Sequence, residues 1–177
     1  MHFDEIGEIC IRPAQSGEFA GVYTPMLGYW GKPEASAKVL VHGRYHTGDL
    51  GLFASDGNLY IRGRRNELIL RGGANIYPAE VERVIALHAE VEAVAVLGIP
   101  DPRLGQRVVA VVQRRPGSVI DESALKAHTA TALARYKVPE ILRFVDEMPR
   151  NAMNKIVKPR LEALFDRDGN REGGLDS

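Results

Sequence analysis

The chain has 177 residues, of which 45% are apolar and 26% are charged, and this balance is typical of an ordinary soluble globular protein. The 23 basic and 23 acidic side chains cancel to a formal net charge of zero, which excludes a general electrostatic attraction for nucleic acid or for an anionic membrane. Cys10 is the single cysteine, so an internal disulfide is excluded and a reducing compartment is favoured.

The first part of the chain, residues 1–63, consists of short strand patterns separated by glycine and proline. Ile6–Ile11 alternates apolar residues with small or polar ones, as a half-buried strand does. Leu52–Ile61 contains the dipeptide Asp56-Gly57, which is a strong hairpin signal between apolar residues. Because a stretch of about 60 residues with so few apolar side chains cannot close a core alone, we expect it to belong to a larger β-rich body.

From Arg64 onward, strand patterns alternate with helical ones. Leu68–Leu70 predicts a short strand that ends at Gly72-Gly73, and Pro78 is placed to begin a helix. The buried face of that helix is predicted by apolar spacing at Val81, Val84, Ile85 and His88. The remaining predicted elements are strands at Val91–Ile99, Val108–Gln113 and Ile141–Val145, a helix from Asp121 to about Tyr136, and a helix at Lys158–Phe165.

These patterns predict an α+β fold, in which a small C-terminal three-stranded sheet with flanking helices follows a β-rich remnant of a larger domain. The predicted domain bounds are 1–63 and 64–165, and the polar, glycine-rich residues 166–177 predict a flexible tail. Residues 1–5 lack the basic and apolar regions of a signal peptide. The apolar runs are also too short to span a bilayer, so we expect a cytoplasmic protein with no transmembrane segment.

Three runs of sequence carry the functional signal. They are Tyr45–Gly51 (YHTGDLG), Asp56–Ile69 (DGNLYIRGRRNELI) and Pro149–Lys155 (PRNAMNK). Together they resemble the late signatures of the adenylate-forming, or AMP-binding, enzymes, and most closely those of the acyl-CoA synthetase and fatty-acid–CoA ligase type. The sequence contains no phosphate loop rich in Ser, Thr and Gly. We therefore interpret it as the C-terminal portion of such an enzyme.

The resemblance implies roles for individual residues. Asp49 would accept hydrogen bonds from the ribose hydroxyls of ATP, since an ionised carboxylate only accepts, and Arg64 and Tyr45 would also bind the nucleotide. Lys155 would be the catalytic lysine, which places positive charge where two anions meet. Asn154 stands where the family has glycine, and asparagine is the next most tolerant residue if a positive φ angle is needed there.

The same resemblance places a hinge at Asn66, where the family usually has Asp or Lys. Gly72 and Gly73 would line the tunnel for the pantetheine arm of CoA. The same two residues also suit an ordinary turn before a helix. Lys158 and Arg160 are interpreted as surface charges. The histidines show no metal-ligand spacing, so no metal site is predicted; the Mg²⁺ expected with ATP would bind outside this chain.

The implied parent enzyme converts a carboxylic acid and ATP into acyl-AMP and pyrophosphate, then forms a thioester with CoA and releases AMP. Its expected ligands are therefore ATP or AMP, CoA and a small carboxylic acid, with a role in fatty acid metabolism. The expected partner is the missing N-terminal domain, without which this chain would be inactive. Two alternatives stay open at this point: an adenylation domain that loads a carrier protein, and a non-catalytic binding module of the same fold.

Overall fold

The computed structural model describes residues 4–22 and 26–165, and the chain divides into two compact units between Asn66 and Glu67. This division falls within a 3-10 turn at Arg65–Glu67. The domain bounds 1–63 and 64–165 stay a prediction, and the predicted tail, residues 166–177, lies outside the described residues. Among the described residues, no helix is long and apolar enough to cross a membrane.

The first unit is a four-stranded antiparallel sheet built around one long strand. That central strand, β3, pairs with each of the other three. The elements in chain order are β1 (Gly7–Ile11), helix α1 (Pro33–Val39), β2 (Leu40–Val41), β3 (Arg44–Phe53) and β4 (Leu59–Arg64). The predicted strand at 6–11 and the predicted hairpin around Asp56-Gly57 are both confirmed. Helix α1 and strand β2 are elements that the sequence analysis did not predict.

The second unit is a five-stranded mixed sheet with helices. The strands follow the order β6-β5-β8-β7, and β9 lies parallel to β8. Its elements in chain order are β5 (Ile69–Arg71), β6 (Ala74–Ile76), α2 (Pro78–Ala86), β7 (Val91–Asp101), β8 (Gly105–Arg114), α3 (Glu122–Ala132), a 3-10 turn (Arg135–Lys137), β9 (Ile141–Val145) and α4 (Pro159–Glu162). The α+β class is thereby confirmed.

The sheet of the second unit differs from the prediction in its number of strands. The strands predicted at 68–70, 91–99, 108–113 and 141–145 are present as β5, β7, β8 and β9. Strand β6 pairs with β5, so the sheet has five strands rather than the three of the predicted fold class. Gly72 and Gly73 form the turn of this hairpin with φ angles of +55° and +83°, since a two-residue turn of this kind requires positive φ at both positions. The chain therefore forms one more strand before the helix that begins at Pro78.

Strand β8 explains how the second unit builds its core. Val108, Ala110 and Val112 face one side of the sheet and pack with residues of α2 and α3. Val109 and Val111 face the other side and pack with residues that include Met148 and Leu161. Because both faces of β8 are covered, its sequence is an unbroken apolar run rather than an alternating one.

The helices of the second unit agree with the sequence analysis in type and differ at their ends. Helix α2 buries Val81, Val84 and Ile85 as predicted, whereas His88 lies beyond its last residue. The carboxylate of Asp121 accepts a hydrogen bond of 2.7 Å from the backbone N–H of Ala124, which confirms the predicted cap of α3. Helices α3 and α4 are both shorter than predicted.

Candidate functional site

The first unit brings Asp49 and Arg64 together across two paired strands. The two residues are direct partners in the register of β3 and β4, and the Nε atom of Arg64 lies 2.7 Å from Oδ1 of Asp49. The side chain of Arg64 is 58% exposed and that of Asp49 is 29% exposed. An accessible carboxylate is thus held in place by a charge-assisted hydrogen bond from the arginine.

A bulge within strand β3 shapes the backbone next to Asp49. The hydroxyl of Thr47 donates to the carbonyl of Ile9 at 2.8 Å and accepts from the N–H of Asp49 at 3.0 Å. Gly48 between them has a φ of +74°, which glycine adopts far more readily than other residues. The Thr-Gly-Asp sequence therefore presents its carboxylate from a bulge that is hydrogen-bonded to the neighbouring strand.

Tyr45 belongs to the same group of side chains. Its pKa is raised chiefly by a hydrogen bond with Tyr29, and the charge of Asp49 also raises it while that of Arg64 lowers it. Tyr45, Asp49 and Arg64 therefore act on one another electrostatically. Of the residues assigned to the nucleotide from the sequence, Asp49 and Arg64 are in direct contact, and Tyr45 lies on the same strand as Asp49.

A second charged network in the first unit was missed by the sequence analysis. Glu8 lies on β1, and its Oε2 atom is 3.0 Å from Nδ1 of His46 and 3.3 Å from Nη1 of Arg65. The hydrogen bond with His46 is the main reason that the pKa of Glu8 is lowered. The partners are 38 and 57 positions away in sequence, and no local signal points to them.

Cys10 extends this network, since its Sγ atom lies 3.5 Å from Nδ1 of His46. Glu8, Cys10 and His46 present three donor atoms within 4.8 Å of one another, which is a distance that a metal ion can bridge. Arg65, however, brings a positive charge to the same carboxylate oxygen. That charge opposes a cation, so the geometry favours an ion-pair network that holds Arg65 against the sheet.

In the second unit, Lys155 lies on an ordered loop with its side chain exposed. The N–H of Val157 donates to the carbonyl of Pro149 at 2.8 Å and closes the loop. The side chain of Asn151 accepts from the N–H of Lys155 at 2.9 Å. Asn154 has a φ of +63°, so it takes up the backbone conformation for which the family's glycine is suited.

The glycine turn of the second unit is also anchored. The N–H of Gly72 donates to the carbonyl of Leu104 at 2.8 Å. Next to it, the guanidinium of Arg71 donates to the carbonyl of Tyr136 at 2.8 Å and pairs with Glu140 at 2.5 Å. The sequence analysis did not single out Arg71, whose side chain is only 17% exposed. The Gly72-Gly73 turn is thereby tied to the segment between α3 and β9.

The interpretation of Lys158 as a surface charge is wrong. Its side chain is 21% exposed, and its Nζ atom lies 2.5 Å from Oε2 of Glu67 and 2.9 Å from Oε1 of Glu82. Burial alone would lower its pKa, but the two carboxylates outweigh burial and raise it. Arg160, by contrast, is exposed as expected, and Asn66 is exposed within the 3-10 turn.

Comparison with known proteins identifies relatives for almost the whole chain. Residues 80–155 match the family described as AMP-binding enzyme C-terminal domain. The chain is 42% identical to the 2-succinylbenzoate–CoA ligase of Geobacillus kaustophilus, over 89% of this chain and 34% of that one. It is 43% identical to a feruloyl-CoA synthase of Amycolatopsis sp, over 88% of this chain and 32% of that one.

A solved structure gives the same result in three dimensions. The o-succinylbenzoate CoA synthetase of Bacillus subtilis, in complex with its acyl-adenylate intermediate, superposes with a TM-score of 0.79 at 33% identity. The match covers 92% of this chain and 31% of that enzyme. The chain thus spans about a third of the length of the relatives it matches.

Proposed function

We propose that this chain forms the C-terminal part of an ATP-dependent acyl-CoA synthetase, because residues 80–155 match the AMP-binding enzyme C-terminal domain family. The full-length enzyme activates a carboxylic acid as acyl-AMP with release of pyrophosphate. The thiol of CoA then displaces AMP and yields the thioester. The homology of this chain to CoA ligases along nearly its whole length supports the reaction class.

The single observation that carries the proposal is the Asp49–Arg64 pair. A ribose presents two neighbouring hydroxyl donors, and Asp49 offers an ionised carboxylate that only accepts hydrogen bonds. Arg64 holds this carboxylate at 2.7 Å and adds a positive charge for the nucleotide. We assign nucleotide binding to Asp49, Arg64 and Tyr45 on these grounds.

Lys155 is assigned to the chemical step of acid activation. ATP supplies an electrophilic α-phosphate, and the attacking carboxylate is also an anion, so their approach needs a fixed positive charge. The loop from Pro149 to Val157 is closed by its own hydrogen bonds and presents the Lys155 side chain to solvent. A flexible stem with a compact ammonium suits a contact with two separate anions.

The remaining roles concern thioester formation. Gly72 and Gly73 lack a Cβ atom, and the space next to Gly73 is open to 4 Å, so a narrow ligand such as pantetheine can approach the backbone closely. Asn66 is assigned to the hinge because the division between the two units follows it directly. CoA is thus the proposed second substrate, and Mg²⁺ would accompany ATP at a site outside this chain.

The surface of the first unit supports a larger parent protein. Leu27 and Trp30 are each 99% exposed, and Val22 is 72% exposed. Leu50 and Leu52 are the only buried aliphatic side chains among the described residues of this unit. Such exposed apolar groups mark a surface that packs against other protein. We propose that the missing N-terminal domain covers it and supplies the phosphate loop and the acyl pocket. Fatty-acid specificity and a cytoplasmic location stay predictions.

The test uses Lys155→Ala in the full-length enzyme. Acid-dependent exchange of pyrophosphate into ATP should fall about 10²- to 10³-fold, the scale expected for a pre-placed electrostatic group. Thioester formation from preformed acyl-adenylate should continue at nearly the parental rate. Arg160→Ala, which removes an exposed charge five positions away, serves as the control. Unchanged exchange in Lys155→Ala would overturn the assignment, and exchange by the 177-residue chain alone would overturn its proposed dependence on the missing domain.

A further inference from the structure

Lys158 joins two segments of the second unit that are far apart in sequence. Glu67, which lies 91 positions earlier, is the last residue of the 3-10 turn at the start of the unit. Glu82 lies on helix α2. The Nζ atom of Lys158 contacts both carboxylates, at 2.5 Å and 2.9 Å. One ammonium therefore lies between two acidic groups and offsets their mutual repulsion.

The contact lies at the base of the loop that carries Lys155. The N–H of Val157, the residue before Lys158, closes this loop onto the carbonyl of Pro149. Every side chain from residue 151 to residue 155 is exposed. The orientation of the loop is therefore fixed at its base, by Ile156 against the core and by Lys158 through its ion pairs.

The ion pairs continue into the sheet. The Oε1 atom of Glu82, which contacts Lys158, also accepts a hydrogen bond of 2.9 Å from the N–H of Val96 on β7. Strand β7, helix α2 and the base of the loop are thus linked by one carboxylate. Because the ammonium is largely withdrawn from water, screening by salt weakens this contact less than it weakens an exposed ion pair.

We propose that Lys158 is a positioning residue that holds the Lys155 loop in the orientation needed for acid activation. This inference rests on the proposed function and deepens it, since Lys158 acts only through Lys155. A displacement of about 1 Å in a catalytic group can cost about 100-fold in rate. The contact with Glu67 also fastens the loop base to the residue that follows the proposed hinge at Asn66.

The test compares Lys158→Met, Lys158→Arg and Glu67→Gln in the full-length enzyme. Lys158→Met keeps the length of the side chain and removes its charge, and it should lower kcat of acid activation about 10- to 100-fold with little change in KM for ATP. Thioester formation from preformed acyl-adenylate should be retained, which a general loss of structure would not allow. Lys158→Arg should recover most of the rate, because a guanidinium also pairs with two carboxylates.

Glu67→Gln removes the negative charge from one side of the contact with a smaller risk to folding, since the side chain of Glu67 is 39% exposed. Like Lys158→Met, it should lower the rate of acid activation. In the double variant the two effects should not add. Arg160→Gln, a change of an exposed neighbouring charge, should have no effect. Normal acid activation in both Lys158→Met and Glu67→Gln, alongside an impaired Lys155→Ala, would overturn the positioning role and leave the proposed function intact.

A second measurement is independent of catalysis. In the 177-residue chain, amide hydrogen exchange of residues 150–157 should be faster in Glu67→Gln than in the parent, while exchange in β8 stays unchanged. Unchanged exchange in the loop would contradict the inference. An impaired Lys155→Ala has no bearing on this result, so a failure of the positioning role and a failure of the proposed function give different patterns.

Discussion

Asp49 and Arg64 face each other across strands β3 and β4, with the Nε atom of the arginine 2.7 Å from Oδ1 of the aspartate. The two residues meet because the turn at residues 54–58 joins β3 to β4 in a register that places them opposite each other. The arginine orients the carboxylate through a charge-assisted hydrogen bond. The proposed acceptor for the ribose hydroxyls is therefore set by the sheet before any nucleotide arrives.

We predict that Asp49→Asn in the full-length enzyme weakens the binding of ATP. The amide replaces an acceptor oxygen with a donor and removes the charge that pairs with Arg64. Loss of hydrogen bonds to a charged group should raise KM for ATP about 10- to 100-fold. Asp56→Asn is the matched control, since the carboxylate of Asp56 accepts hydrogen bonds from Asn58 and Tyr60 at the β3–β4 turn. Equal KM values for the two variants would remove Asp49 from the nucleotide site.

Gly51→Ala should destabilise the first unit. A Cβ atom at this position would lie 2.7 Å from the carbonyl oxygen of Tyr60 and 2.9 Å from Cδ1 of Ile9. The carbonyl belongs to the paired strand and cannot move aside without loss of the ladder, so we expect a cost of about 1–3 kcal/mol. Gly7→Ala, at the position opposite Gly51 on β1, meets nothing within 4 Å. Chemical denaturation should show a lower free energy of unfolding for Gly51→Ala than for Gly7→Ala. Equal stability of the two variants would refute the packing argument.

The ion pairs and hydrogen bonds of Glu8 should make the stability of the first unit depend on pH in the acidic range. The hydrogen bond with His46 lowers the pKa of Glu8 below its ordinary value of 4.5, against the opposing effect of burial. A lowered pKa in the folded state contributes stability above pH 4.5, and this contribution is lost as the pH falls through the folded value. The parent should therefore lose stability below pH 4.5 more steeply than Glu8→Gln.

The measurement is the unfolding free energy of the chain at a series of pH values. The difference between the parent and Glu8→Gln should narrow as the pH falls from 4.5 through the lowered pKa of Glu8, because below that pKa both carry a neutral side chain. Glu18→Gln removes an exposed carboxylate and serves as the control. A difference that stays constant down to the lowest pH would show that Glu8 acts through packing rather than charge.

The parts of the fold that the sequence predicted are those with a long or periodic apolar pattern. Strand β8 is recognisable because its apolar run is covered on both faces, and α2 because Val81, Val84 and Ile85 recur on one face. Helix α1 was missed because it buries none of its residues and so has no apolar stripe. Strand β6 was missed because Ile76 is its one large apolar side chain, whereas β5 overlaps the apolar run Leu68–Leu70.

The residues of the candidate site also fall into two groups, those that the sequence predicted and those that it did not. Contiguous motifs led to Asp49, Arg64 and Lys155, since their family signature is local in sequence. Glu8 and Lys158 acquire their partners only through tertiary contacts, across 38 and 91 positions. A lysine between two carboxylates cannot be distinguished in sequence from a solvated lysine, because only the fold brings the carboxylates to it.

Asn66→Pro in the full-length enzyme should separate the two half-reactions. Proline fixes φ and disfavours the helical conformation of the residue before it, here Arg65 in the 3-10 turn. If the units rotate about this turn, the variant should hold one arrangement and lose either acid activation or thioester formation by a much larger factor than the other.

Asn66→Gly is the control, since it keeps the turn flexible and should retain both steps. Pyrophosphate exchange reports the first step, and release of CoA thioester from preformed acyl-adenylate reports the second. Equal losses in both steps, with the melting temperature unchanged, would show that the chain does not hinge at Asn66.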